Sequence, residues 1–324
     1  MNKNRYLFGL KPYGTVAMGL SLASAWAWGV SIIVGTQVIQ EKGLTAFLIW
    51  AAANALALTL FGWVAGKISI RETIADAMPG VLRPLYRYFT LLIQFFSVLV
   101  NITAIMTACS MLGLPAYAGY AFTFILFMVV LLKGFDANVR GDIFFILVWM
   151  VVLAGVVAIM PKDIPVVVVS EGKDILWAAW GAVILLCGPV VDQQHWQRRA
   201  SMRDKFSMNP FLLGSAIFAV YMALIGLLGI YGANCPVAVA VIILCVAGST
   251  LLSALSALSC YGRTVRASRW IMAGCYTIAS ACLVLNLSVL TIWQVYGSLR
   301  IIPALYIFWL ALKGKGKGDR NECV

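Results

Sequence analysis

"LLCGPVVDQQHWQRRAS", residues 185–201, joins a long apolar run to a basic cluster. Three features set it apart. Gly188-Pro189 lies inside a hydrophobic stretch, where proline removes a backbone donor and interrupts a helix. Asp192 follows just before the run ends. His195 is the chain's single histidine. An interruption at this point only makes sense in a helix of membrane length, so the composition around it comes next.

The chain has 324 residues, 62% hydrophobic and only 11% charged, with a mean hydropathy of +0.94. A soluble domain carries about 25% charged residues. Apolar runs of roughly 20 residues, the length that spans a bilayer, recur along the chain. They do not alternate in polarity as barrel strands do, so the expected fold is an all-α polytopic membrane protein. The first apolar stretch reads as a full span rather than a cleavable signal. Six cysteines (109, 187, 245, 260, 275, 282) lie in or beside apolar runs and read as packing residues, not as a disulfide framework.

The expected spans are 13–39, 44–66, 86–112, 115–133, 142–161, 175–197, 209–232, 237–259, 268–287 and 289–312. Charge distribution tests them. With the N-terminus inside, 20 of the 24 basic residues fall in the inside segments, among them Arg198, Arg199 and Arg203. Outside loops hold Lys42, Lys162 and Lys173, and Arg300 is left mid-span. That bias is the positive-inside pattern with both termini cytoplasmic. It explains the net charge of +12 by orientation, with no nucleic acid. The chain reads as a single transmembrane transporter domain, 1–324, closed by a basic cytoplasmic tail, 313–324. Its two halves, about 1–161 and 162–312, hold five spans each. An odd number per half turns the second half over, giving a 5+5 inverted repeat. The first span of each half carries helix-breaking residues: Gly29 and Gly35 in span 1, Gly188-Pro189 in span 6. Paired interruptions of this kind, with helices 1 and 6 discontinuous, point to a binding site at mid-membrane.

Ionisable residues inside a membrane cost several kcal/mol or need a partner. Asp142, at the start of span 5, Asp192 and Arg300 are the three candidates. Arg300 either pairs with one of the aspartates and locks the bundle, or faces a solute cavity. Trp26 and Trp28 sit in the interrupted part of span 1, away from the interface belt, where they can stack on a solute. Asn101 and Gln294 are polar cavity candidates. In span 8, "CVAGSTLLSALSALSCYG" (245–262) places Ser249 and Thr250 side by side. Their hydroxyls suit a small hard cation, or alternatively close helix packing, the reading given to Ser253, Ser256 and Ser259.

These stretches together resemble the sodium/solute symporter family, which has the LeuT-type fold. "DQQHWQRRAS" (192–201) is similar to that family's D-Q-x-x-x-Q-R segment, and its W-Q-R form is nearest the urea/polyamine branch. "SAWAWGVSII" (24–33) resembles the same branch, "VAGSTLLSALSALSCYGRTVRAS" (246–268) resembles the sodium-site helix, and "GFDANVRGDIFF" (134–145) and "VNIT" (100–103) add shorter matches. The resemblance implies Na⁺-coupled symport of a small polar solute by alternating access. It implies a sodium site formed by the hydroxyls of Ser249 and Thr250 with the carbonyls of Val246, Ser24 and Ala27, and a coupling role for Asp142. A second sodium near Asp142 and Ser253 is disfavoured because Leu252 replaces a hydroxyl there. Trp26, Trp28, Asn101, Gly188, Asp192, Gln294 and Arg300 are the expected solute contacts. Trp50 and Ala53 stand where sugar-transporting relatives have polar groups, which speaks against a sugar. An arginine in the cavity repels a polycation and favours an anionic group. The expected partners are thus solute, Na⁺ and bilayer, with no obligatory protein partner. The rivals are a proton-coupled or uncoupled carrier using Asp142 or Asp192, and a membrane sensor that binds without transport. No Ser/His/Asp arrangement suggests an enzyme.

Overall fold

The computed structural model describes residues 2–68, 70, 72–160, 168–231, 235–285 and 289–313. Lys162 and the tail beyond Lys313 therefore lie outside the described residues. The described chain is helical: α1 (Lys3–Phe8), α2 (Thr15–Trp26), α3 (Gly29–Gln37), α4 (Gly43–Ala65), α5 (Leu82–Met111), α6 (Ala116–Lys133), α7 (Phe135–Ile159), α8 (Gly172–Val191), α9 (Gln193–Ala200), α10 (Asn209–Tyr231), α11 (Pro236–Leu258), α12 (Val265–Cys282), α13 (Val289–Leu299) and α14 (Ile301–Lys313). Among the described residues, nine helices are long and apolar enough to cross a membrane. Large apolar side chains such as Val151, Leu176, Ile302 and Leu312 stand exposed on the outside. In water such a surface would aggregate; in lipid it is the expected coat. The chain is a multi-pass integral membrane protein.

One of the nine, Ser31–Ala65, runs 35 residues, about 52 Å at 1.5 Å per residue. That exceeds a hydrocarbon core of ~30 Å. It turns within this length, through the π-turn Val38–Lys42 and Gly43 at φ 87°. Sequence signals set most other ends. Pro236 opens α11 at a position where its missing N–H is free of consequence. Thr264 caps α12 by accepting from the Ala267 N–H. Glu171 and Asp174 form a capping box at α8.

Helix α11 is the centre of the bundle: every residue from Cys245 to Leu258 is buried. It packs on α5 and α7, and also touches α6 and α12. Around it α4 packs on α8, α10 on α2 and α4, α2 on α7, α14 on α8, and α12 and α13 on α5. At one point α3 comes so close to α11 and α5 that a Cβ on Gly29 would stand 2.7 Å from the Ala247 Cβ and 3.0 Å from that of Ala104.

At one end of the bundle, the N-terminal segment lies across α7 and α9. Asp136 accepts from the Tyr13 hydroxyl and from the Leu10 N–H at 3.1 Å. Burial, and then the Asp136 carboxylate, push the Tyr13 phenol well above its ordinary pKa, so it stays protonated and donating. Tyr13 also forms a bridge to Met202, and Gln197 donates to the Leu7 carbonyl at 2.6 Å. Gly134 starts α7 at φ 71°, and a Cβ there would sit 2.5 Å from the Tyr6 carbonyl oxygen. Gly134→Val combines a glycine-only conformation with that clash. It is expected to lower stability by about 1–3 kcal/mol, read as a fall in the unfolding midpoint in detergent. Gly155→Ala, which meets nothing within 4 Å and lies inside a helix where alanine is favoured, does not lower the midpoint.

Candidate functional site

The backbone departs from helix twice. After Trp26 the Ala27 residue takes φ −78°, ψ 64°. The Trp28 N–H turns back to the Trp26 carbonyl at 2.9 Å, and the Ser31 N–H bonds the Trp28 carbonyl at 2.8 Å. Those two donors would otherwise have served the carbonyls of Ser24 and Ala27, four residues earlier. Both carbonyls are thereby released from the ladder, deep in the core where Ser24 and Ala27 are fully buried.

The second departure is at Asp192 (φ −81°, ψ 114°) and not at Gly188-Pro189, which stays inside α8. Asp192 both ends α8 and caps α9, accepting from the Gln194 N–H at 3.2 Å. The Val190 carbonyl, which loses that helical partner, takes the Trp196 indole N–H at 2.8 Å instead. The carboxylate is also held by the side-chain amides of Gln94 at 2.6 Å and Gln194 at 2.5 Å.

Opposite the first departure, α11 presents its hydroxyls. Ser249 Oγ lies 2.7 Å from Ser24 Oγ and donates to Asp142 Oδ1 at 2.8 Å. Thr250 Oγ1 turns back to the Val246 carbonyl at 3.0 Å. All are fully buried. Asp142 lies two turns inside α7, because that helix starts at Phe135 and not at 142. It forms a buried ion pair with Arg198 at 2.6 Å and accepts from the Ser21 hydroxyl. Arg198 further donates to Ser253 Oγ at 2.6 Å, Ser21 Oγ at 2.9 Å and the Gln194 carbonyl at 2.9 Å. Ser253 is therefore part of a polar cluster, not merely a packing residue. Arg198 is no exposed anchor of a membrane end; α1 and the loop around Glu72 cover α9, with Gln193 donating to the Glu72 carbonyl at 2.7 Å. A second sodium beside Asp142 and Ser253 is opposed by the guanidinium already held there.

A cavity of about 20 Å³, lined by Trp26, Trp28, Ser31, Trp50, Asn54, Leu185, Trp293 and Arg300, adjoins the first departure. A Cβ on Gly188 would meet the Trp26 ring at 2.6 Å and Arg300 Nη1 at 3.0 Å. With its aromatic walls in this position, a cavity of that size has room for no more than about a water molecule. The Trp26 indole N–H is spent on the Asn54 carbonyl at 3.1 Å. Trp28 stacks on Tyr296, centroids 5.1 Å apart. Arg300, buried at the junction of α13 and α14, lies over Tyr296 at 3.9 Å and over Trp28 at 5.5 Å.

Arg300 is paired with neither aspartate: among the described residues no carboxylate lies within 4.0 Å of it. Gln294 is not at this cavity; it is exposed and lines a separate groove with Tyr86, Phe89 and Pro303. Asn101 is buried but donates to the Ser97 carbonyl of its own helix at 2.7 Å. His195 is fully buried, between the rings of Trp26 and Phe61 at 5.6 and 5.7 Å. Sequence reasoning missed Ser21, Trp50 as a wall and Asn54. The spacing of Trp50 and Asn54, one turn apart on α4, was the available signal.

No protein-family model matches the chain, and no curated protein matches it. Among solved structures it is similar to the substrate-bound, outward-open state of a Na⁺-coupled sialic acid symporter described as having a novel Na⁺-site. The TM-score is 0.63 at 12% identity, over 96% of this chain and 80% of that one. At that identity the likeness bears on the fold alone.

Proposed function

We propose that the chain is a secondary active transporter that carries a small polar solute inward with Na⁺ by alternating access. In this reading it has ten membrane helices in two inverted halves, about 1–161 and 162–312, with both termini cytoplasmic. Span 1 is α2 with α3, span 6 is α8 with α9, and span 10 is α13 with α14. The packing supports the repeat. Several contacts have a counterpart when every span is exchanged for the one five places along. Thus α10 on α2 answers α4 on α8, α7 on α11 answers α13 on α5, α2 on α7 answers α8 on α14, and α6 on α11 answers α12 on α5.

The observation that carries sodium coupling is the release of the Ser24 and Ala27 carbonyls beside the Ser249 hydroxyl. Na⁺ is a hard cation that takes oxygen ligands, and helix interruptions in transporters supply carbonyls for it. Ser24, Ala27, Val246, Ser249 and Thr250 are the proposed ligands. Occupancy would tie the interruption of span 1 to span 8 and so favour one conformer. Coupling requires that difference in affinity between conformers, since a ligand binding both equally shifts nothing. Asp142 acts through Ser249, which it holds in place. Trp26, Trp28, Gly188 and Arg300 form the proposed solute contacts, with Asp192 holding the second interruption open beside them. Asn101 and Gln294 are not retained. The urea/polyamine branch rests on tryptophan spacing and the W-Q-R form alone, and Arg300 speaks against a polycation. The proton-coupled rival needs a carboxylate free to exchange a proton. Asp142 and Asp192 are each held by several donors, which favours sodium.

A thermal-shift screen of small solutes, in NaCl and in KCl of equal ionic strength, tests the reading. A solute that raises the unfolding midpoint in Na⁺ and not in K⁺ is the expected result. A solute stabilising equally in both salts contradicts coupling.

A further inference from the structure

The cavity at Arg300 has a one-sided chemistry. Four donors on its lining residues find no acceptor among the described residues: Trp28 Nε1, Trp50 Nε1, and Nε and Nη1 of Arg300. An indole nitrogen and a guanidinium donate only. The side-chain acceptors of the lining are the neutral Asn54 amide oxygen and the Ser31 hydroxyl, and no carboxylate is among the lining residues. The stacking of Arg300 over Tyr296 and Trp28 occupies the face of the guanidinium and leaves its edge, the planar fork that matches a carboxylate, unused.

The charge balance points the same way. A buried arginine without a counter-charge costs several kcal/mol, and cation–π contacts return only about 0.5–2. Asp142 is paired with Arg198, and Asp192, bonded to the neutral amides of Gln94 and Gln194, lies near enough to feel the Arg300 charge without pairing with it. A purely locking arginine would have taken one of them.

We propose that this cavity receives an anionic oxygen-bearing group of the solute, a carboxylate or a similar acid, with the Arg300 fork as anchor and the Trp28 and Trp50 indole N–H groups as further donors. The proposal rests on the reading of the chain as a solute carrier and names the charge class of its cargo. It accounts for a cavity walled by tryptophan that contains one fixed cation. A polycation would meet like charge at Arg300, and a neutral amide or alcohol would leave that charge uncompensated.

Matched probes test it: acetate against acetamide and benzoate against benzamide, titrated into the full chain in lipid nanodiscs, with the unfolding midpoint as readout in both NaCl and KCl. At least one acid is expected to stabilise while its amide does not. Arg300→Gln is expected to weaken that acid 30-fold or more, and Arg300→Lys to retain part of it. Trp50→Phe keeps the ring and removes one donor, so it serves if Arg300→Gln does not fold; about tenfold weaker acid binding is expected. The proposal is overturned if neither acid stabilises the unsubstituted protein, if an amide matches its acid, or if the acid's effect survives Arg300→Gln or is unchanged by Trp50→Phe. An acid that binds equally in Na⁺ and K⁺ leaves this site standing and removes sodium coupling, so the two readings fail separately.

Discussion

Replacing Asp142 with Asn, or Arg198 with Met, is expected to lower the stability of the chain by about 3–5 kcal/mol each, because either change strands a buried charge. The double variant Asp142→Asn with Arg198→Met is expected to recover much of that loss. The pair meets at 2.6 Å with both side chains fully buried. It joins three helices, since Asp142 is on α7, Arg198 on α9, and Ser253, which accepts from Arg198 at 2.6 Å, on α11. A double-mutant cycle on unfolding free energy measures the coupling. Additive losses in the double variant would mean that the two residues act apart, and the structure would be wrong at its polar centre.

The Ser249→Ala, Thr250→Ala double variant is expected to weaken Na⁺ binding about 100-fold or more. Each hydroxyl facing a charge contributes ~1.5–3 kcal/mol, and ~1.4 kcal/mol is a tenfold change. Ser256 is buried on the same helix but lies about two turns beyond Ser249. Ser256→Ala is therefore expected to leave Na⁺ affinity unchanged. The concentration dependence of the unfolding midpoint in NaCl gives both values by linkage. Equal Na⁺ dependence in the unsubstituted protein and the double variant removes Ser249 and Thr250 from the site.

The membrane class was legible because apolar runs and low charge content are properties of composition. The first helix interruption was legible to within two residues from Gly29. The second was placed at Gly188-Pro189, whereas the chain leaves helix at Asp192. Pro189 removes one backbone bond, but the turn forms where a side chain can cap the next helix, and an aspartate before "QQHW" carries that signal. Arg198 was misread because a basic cluster ending an apolar run is the usual mark of a membrane edge. Its burial against Ser21, Asp142 and Ser253, with α1 bonded across α9 through Gln197 and Leu7, makes it a core residue. The rings of Trp26 and Phe61 hide His195. Whether Arg300 pairs with an aspartate was undecidable in one dimension, since the sequence does not say which residues of different helices meet. Gln294 failed for a related reason: a lone polar residue does not reveal which side of its helix faces the bundle.

Uptake by proteoliposomes ties these sites to transport. With a solute found by the screen, the chain is expected to concentrate it against its gradient when Na⁺ is high outside. Accumulation is expected to collapse when choline replaces Na⁺ or when Ser249 and Thr250 are both alanine. Accumulation that persists in Na⁺-free buffer and survives the double substitution would contradict sodium-coupled transport by this chain.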